Sequence, residues 1–104
     1  MAAALTISPP SGEITAKLEV VRVNVTGAEV NNADGTQHRY RIRLDAPAGF
    51  EYLADSGYSY VFNVSATGTH EFNGYIFPVA GAWTVRLHDE EADTDAATAA
   101  VTVA

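Results

Sequence analysis

The sequence predicts an all-β fold, a β-sandwich of about seven antiparallel strands, and three observations support this prediction. Apolar and polar residues alternate with a period of two along most of the chain, which is typical of strands with one buried face. The alternating segments are short, start roughly 8–14 residues apart, and are separated by turn-forming Gly, Pro, Asn and Asp. The chain has 104 residues, which is the size of one domain, so we expect a single domain over residues 1–104.

The first two predicted strands are residues 3–8 and 17–26. The turn-rich run Pro9-Pro10-Ser11-Gly12 ends the first strand. The second strand is dense in β-branched residues, and its alternation places Val21, Val23 and Val25 on one face. Gly27 and the later turn signal Asp34-Gly35 separate it from the next strand.

The third predicted strand, residues 36–45, has the clearest alternation in the chain. Its two faces are His38, Tyr40, Ile42 and Leu44 on one side, and Gln37, Arg39, Arg41 and Arg43 on the other. This partition predicts that the first set is buried and that the second faces solvent.

The remaining predicted strands are residues 58–65, 70–77, 82–89 and 98–104. Asn73-Gly74 interrupts the second of these, and Trp83, Val85 and Leu87 point inward in the third. The alanine-rich residues 92–100 would favour a helix by propensity alone. Because they include several Asp and Thr residues and run into an alternating segment, we interpret them as a hairpin loop that enters the last strand. The side chains expected in the core include Tyr40, Ile42, Phe62, Trp83 and Val85.

Composition and charge exclude several classes of function. Six basic and thirteen acidic residues give a net charge of −7, which disfavours binding to nucleic acid. The chain has no cysteine, so disulfides, thiolate chemistry and the common zinc motifs are not expected. No apolar run approaches the ~20 residues of a membrane helix, and residues 1–6 do not resemble a signal peptide. We therefore expect a soluble protein made without export, with no membrane partner.

The segment from Val79 to Val85 resembles the approach to strand F of an immunoglobulin-like (Ig-like) domain. In that family a small-residue turn with Gly precedes an aromatic residue, any residue and a core residue; here these are Gly81, Trp83 and Val85. Together with the preceding Phe77-Pro78, the segment is similar to bacterial and phage Ig-like and PKD-like modules. The chain departs from antibody-type domains, since it lacks the cysteine pair and has no Trp in the third strand.

The resemblance implies an Ig-like β-sandwich and a non-enzymatic structural role in a bacteriophage virion. It implies a capsid decoration or cement subunit that docks on the capsid lattice. The alternatives are an Ig-like module of a phage tail or adhesion apparatus, and a carbohydrate-binding module. The expected partners are capsid or tail proteins, or further copies of the same chain, and the expected location is the virion, after assembly in the host cytoplasm.

No motif in the sequence predicts catalysis, a metal site or a cofactor. The three histidines lack metal-ligand spacing, and there is no Gly-x-Ser-x-Gly elbow or phosphate-binding loop. The acidic run 89–95 is interpreted as a solvated hairpin, with weak Ca²⁺ binding as the alternative. Tyr58, Tyr60, Phe62 and Trp83 are interpreted as core residues rather than a sugar-stacking platform, whereas Tyr52 is expected to be more exposed.

The arginine stripe, which consists of Arg39, Arg41 and Arg43, is the surface feature that most suggests partner docking. Three like charges at period two repel each other unless acidic residues on neighbouring strands oppose them. Two interpretations therefore remain open: docking onto an acidic patch of a larger assembly, or pairing within the domain with residues such as Glu19.

Overall fold

The computed structural model describes residues 3–47 and 59–104 and shows two packed sheets. Seven strands form them: β1 (Ala4–Ser8), β2 (Val21–Thr26), β3 (Tyr40–Asp45), β4 (Ser59–Phe62), β5 (His70–Tyr75), β6 (Gly81–Asp89) and β7 (Thr94–Val103). The three-stranded sheet has the order β1-β2-β5 and the four-stranded sheet the order β4-β3-β6-β7. All strand pairs are antiparallel. The predicted all-β sandwich is confirmed, and its arrangement is consistent with an Ig-like fold.

The core lies between the two sheets and is built by the alternation that the sequence shows. In β2, Val21, Val23 and Val25 are buried, while Arg22 between them is exposed. In β3 and β6 the buried side chains are those predicted from parity: Tyr40, Ile42, Leu44, Trp83, Val85 and Leu87. Phe62 on β4 is buried too. Full burial of an aliphatic side chain contributes about 1.5–3 kcal/mol relative to exposure, so these rows hold the sheets together.

Trp83 lies near the start of β6 and is one of the predicted core residues. Its indole Nε1–H donates to the carbonyl oxygen of Val79, 3.0 Å away, and the side chain is only 1% exposed. Phe77 packs edge-on against the ring at a centroid distance of 4.8 Å. An aromatic residue of strand F that bonds back to the preceding corner is a feature of Ig-like sandwiches.

The segment that follows β1 crosses from the three-stranded sheet to the edge of the four-stranded sheet. Ile14 forms a parallel bridge with Val103 of β7, and its carbonyl accepts a hydrogen bond from the Ala104 amide at 2.8 Å. Ile14 is fully buried. β1 itself pairs with β2 at all five of its positions, so in this structure the first strand is part of the three-stranded sheet of the same chain.

Three predicted strand starts were wrong by four residues, and the predicted strands 58–65 and 70–77 end earlier than expected, at Phe62 and Tyr75. Residues 17–20 form no strand, because Lys17 has a positive φ of 68° and the amides of Leu18 and Glu19 donate to the Thr15 carbonyl. Residues 36–39 form a loop in which the His38 amide donates to the carbonyl of Val30. β7 begins at Thr94, four residues before the predicted start, because a tight turn closed by Asp93 N–H and Asp89 C=O joins it to β6.

Candidate functional site

The arginine stripe lies on the outer face of the four-stranded sheet, where strand alternation places it. Arg39 precedes β3, and its guanidinium binds the Glu91 carboxylate through two bonds, Nη2–Oε1 at 3.1 Å and Nε–Oε2 at 3.2 Å. This bidentate geometry fixes both the orientation of the guanidinium and the carboxylate with which it pairs.

The other two arginines of the stripe also have acidic partners. Arg41 Nε lies 3.6 Å from an oxygen of Glu90, and Arg41 Nη1 donates to the Ser59 hydroxyl at 3.2 Å. Arg43 Nη2 lies 3.3 Å from Oδ1 of Asp45. Pairing within the domain, one of the two interpretations of the stripe, is therefore present in the structure.

The neighbouring strand β6 extends the charged surface. Arg86 binds both Asp45 and Asp95, the latter at 2.9 Å. The imidazole of His88 lies between two carboxylates, with Nδ1 3.0 Å from Asp95 and Nε2 3.0 Å from Asp93. We call the whole set the charged face; its members are Arg39, Arg41, Arg43, Arg86 and His88 with Asp45, Glu90, Glu91, Asp93 and Asp95.

Hydrogen bonds within the charged face shift the pKa values of its members. The bonds from the Arg39 guanidinium and from the Asn32 amide lower the pKa of Glu91 to about 2. The bonds to Asp95 and Asp93 raise the pKa of His88 above its ordinary value, despite the opposing effect of burial. The His88 bond in turn lowers the pKa of Asp95, with help from Arg86. Opposite charges favour each other's ionised forms, which explains the direction of each of these shifts.

The acidic partners come from the β6–β7 turn and from the sheet itself. Glu90 and Glu91 lie in the turn, and the Glu90 amide donates to the Arg39 carbonyl at 3.0 Å, which brings the turn to the start of β3. Glu19, the example considered from the sequence, lies in the turn that precedes β2 instead. These pairs depend on the register in which β3 lies against β6. The sequence pattern of either strand alone does not specify that register.

His38 is buried next to the charged face, at one end of the sandwich. The residue is 5% exposed, and its ring stacks on Tyr40 with a centroid distance of 4.7 Å. Its Nε2 lies 2.6 Å from Oδ1 of Asp89. Burial alone would raise the pKa of Asp89, but bonds from the Ala92 amide, from His38 and from the Glu91 amide outweigh it and lower that pKa.

Three loops meet at the end of the sandwich where His38 lies, and we call this region the loop end: residues 27–39, 63–69 and 89–93. The Ala28 amide donates to the Gly68 carbonyl at 3.0 Å, and the Asn63 side-chain amide donates to the His38 carbonyl at 3.0 Å. Asn32 donates to Glu91 at 3.2 Å. These bonds fix the three loops relative to one another.

An exposed apolar patch lies at the opposite end of the sandwich, and the sequence-based interpretation missed it. Leu18, Val20 and Ile76 are exposed there, Leu18 at 74%. A hollow of about 540 Å³ lined in part by Ser8, Pro9 and Val20 adjoins it. The alternation of residues 17–26 predicts that Leu18 and Val20 lie in a strand. In the structure, the turn at Lys17 and Leu18 leaves both residues outside β2.

The other candidate residues take the following places. Trp83 is buried, so it cannot form an exposed platform for sugars. Tyr52 and Tyr58 lie outside the described residues, and so does the side chain of Tyr60. The carboxylates of the 89–95 run face arginines, imidazoles and backbone amides. Within residues 3–47 and 59–104, no group of three or more His, Cys, Asp or Glu side chains is arranged to hold a metal ion. In the same ranges no helix is long and apolar enough to cross a membrane.

The comparisons with known proteins found no matching family model, no matching curated protein and no matching solved structure.

Proposed function

We propose that this chain is a non-enzymatic structural module of a bacteriophage virion, a decoration or cement subunit that docks on the capsid lattice. The observation that supports the proposal best is the charged face, an array of fixed, alternating charges on one side of a rigid sandwich. Such an array suits a partner surface with the complementary pattern, because each charge is oriented before the encounter. On a repeating lattice, many copies turn modest single contacts into firm attachment.

The structure affects how this docking would work. Because Arg39, Arg41 and Arg43 already have acidic partners, the face is a mosaic of both signs rather than a basic patch. Arg39 and Arg43 nevertheless keep about half of their side-chain surface exposed, at 59% and 46%. A partner would bind these exposed edges and match the acids between them. A mosaic of this kind selects a partner with the matching charge pattern and does not attract every surface of opposite net charge.

Co-sedimentation with capsids and, separately, with tails of the phage that carries the chain tests the proposal. We expect the chain to sediment with capsids and the double variant Arg41→Glu, Arg43→Glu to lose at least tenfold in apparent affinity. The control is Lys17→Glu, Arg22→Glu, which makes the same change of charge away from the charged face. Sedimentation with tails alone would support the tail module instead. Sedimentation with neither, or equal losses in both double variants, would refute docking through this face.

A further inference from the structure

β7 is an edge strand of the four-stranded sheet, and among the described residues nothing pairs with the open side of its residues 96–100. The strand is ten residues long, about twice the length of an average strand. Its other side pairs with β6. The segment that follows β1 covers the C-terminal end of the open side: the Gly12 amide donates to the Thr102 carbonyl at 3.0 Å, and the Thr102 amide donates to Ser11 Oγ at 2.8 Å.

The bonds of Thr102 show which backbone groups of β7 point to the open side. In an antiparallel pair, the N–H and C=O groups of successive residues point alternately toward the neighbouring strand and away from it. Both groups of Thr102 point away from β6, so those of Ala100 and Thr98 do as well. These two residues therefore present two N–H and two C=O groups in the orientation that a further strand requires.

Residues 96–100 lack the features that usually protect a strand edge from pairing. Natural edges carry Lys or other charged side chains, Pro, or bulges that twist the strand away. The sequence here is Ala-Ala-Thr-Ala-Ala, and the irregular register between β6 and β7 lies at its N-terminal end, at Leu87 and His88. An uncharged edge with small side chains is a template for pairing with another strand.

The limits of the open edge fit a second copy of the same strand. A two-fold axis perpendicular to the sheet makes the β7 strands of two copies antiparallel neighbours. With the axis next to Thr98, each Thr98 N–H donates to the Thr98 carbonyl of the second copy, and residues 96–100 of the two copies lie side by side. An axis closer to the C-terminus is blocked, because it would push residues 94–96 of one copy onto residues 11–14 of the other.

The charges of two copies are compatible with this arrangement. Each copy has a net charge of −7, so close pairing requires that their acidic side chains stay apart. Asp95 is the one charged residue of β7 and lies three positions from Thr98, about 10 Å along the strand. Antiparallel pairing therefore separates the two Asp95 residues by about 20 Å, more than twice the screening length of ~8 Å at physiological salt. Each Asp95 also keeps Arg86 and His88 of its own copy as partners.

We propose that two copies of this chain form a dimer through β7, with Thr98 next to the two-fold axis, so that two four-stranded sheets become one sheet of eight strands. Because the axis is perpendicular to the sheet, the charged faces of both copies point to the same side. Dimerisation needs no capsid. Its use on the capsid rests on the proposed function, since a dimer presents two charged faces to a repeating lattice at once.

Amide hydrogen exchange of the full chain at about 10 µM and about 1 mM tests the pairing, because an edge interface of this size should be weak. The Thr98 and Ala100 amides should exchange at least threefold more slowly at the higher concentration, since the second copy accepts their hydrogen bonds. The Ala99 and Val101 amides point toward β6 and should be slow at both concentrations, which makes them the internal control. Sedimentation equilibrium over the same range should show the change from monomer to dimer.

Proline variants test which backbone groups form the interface. Thr98→Pro removes an N–H that points away from β6, and proline is tolerated at such positions of edge strands. It should raise the Kd of the dimer at least tenfold. The matched control Thr98→Val keeps the N–H and the branched side chain and should change Kd less than twofold. Ala100→Pro repeats the change at the second outward amide, and thermal unfolding shows whether each variant folds.

The inference would be overturned by a chain that stays monomeric at both concentrations, by protection that appears at amides other than Thr98 and Ala100, or by a dimer that persists in a folded proline variant. If both proline variants fail to fold, amide exchange of the unaltered chain decides. A monomer that still sediments with capsids leaves the proposed function standing. A dimer that does not sediment with capsids refutes that function alone.

Discussion

At the scale of single residues, two histidines in different environments respond to acid in opposite ways. His88 lies between Asp95 and Asp93, and these bonds raise its pKa above the ordinary value of 6.5. His70 packs against Phe62 and Phe72 at centroid distances of 4.8 and 4.5 Å, and burial lowers its pKa below that value. The folded chain therefore favours the charged form of one ring and the neutral form of the other.

This difference predicts two opposite pH profiles of stability. Stabilisation by His88 is complete below the pKa of the unfolded chain and is lost as the pH rises through the raised pKa of the folded chain. The free energy of unfolding that is lost in His88→Gln should therefore be larger near pH 5 than near pH 9. Since such pairs are screened by solvent, the difference should be about 1 kcal/mol or less. Urea unfolding at both pH values measures it.

The matched variant for this measurement is His70→Gln. Neutral His70 is favoured in the folded chain, so its loss should cost more at high pH than at low pH, the reverse of His88. A loss in His88→Gln that does not decrease between pH 5 and pH 9 would show that the contacts of His88 with Asp93 and Asp95 do not hold in solution.

At the scale of elements, the β2–β3 loop and the β4–β5 turn lie close together in the loop end. The β4–β5 turn includes Gly68, which has a φ of 75°, and a Cβ built on it would lie 2.5 Å from the Ala28 carbonyl oxygen. The Ala28 amide in turn donates to the Gly68 carbonyl. Only glycine fits here, because both the conformation and the space exclude a side chain.

Gly35 gives the matched comparison for this contact. It has a similar φ of 87°, but a Cβ built on it meets no atom within 4 Å. Gly35→Ala should cost about 1–2 kcal/mol for the left-handed backbone alone, and Gly68→Ala should cost more, since the backbone of Ala28 must also move. Thermal unfolding of the two variants measures the difference. Equal losses would mean that the two loops are not in contact in solution.

The same elements show what the sequence could predict. Alternation identified the buried rows of β2, β3 and β6, because successive side chains of a strand point to opposite faces of the sheet. It overextended the second strand to residue 17, because nothing in the composition of residues 17–20 reveals the positive φ of Lys17. It also identified the arginine stripe. It could not find Glu91 as the partner of Arg39, since the two are 52 residues apart and meet only through folding.

The loop end could not be predicted for the same reason. The burial of His38 was expected from its parity in the third strand, but its contacts with Asp89 and Glu29 join three separate parts of the chain. The sequence alone shows that residues 89–95 are rich in acidic side chains. That Asp89 lies against His38 while Asp93 lies against His88 depends on where the β6–β7 turn folds.

At the scale of the whole molecule, stability and recognition depend on different interactions. The sandwich has a Cα radius of gyration of 13.8 Å, and its apolar rows are buried between the sheets. The ion pairs of the charged face lie outside that core, where solvent reaches them. Exposed pairs contribute little to folding, whereas the charges of this face act on a partner over a distance set by salt.

Salt should therefore separate the two properties. Between about 0.1 M and 1 M NaCl the screening length falls from ~10 Å to ~3 Å, so the apparent affinity of the chain for capsids should fall by at least tenfold. The unfolding temperature should change by only a few degrees, because burial of apolar surface does not depend on screened charges. Co-sedimentation and thermal unfolding in the same buffers test both expectations. A parallel fall of affinity and unfolding temperature would mean that the ion pairs help to hold the sheets together, and an affinity that does not change with salt would mean that the chain docks through apolar contacts instead.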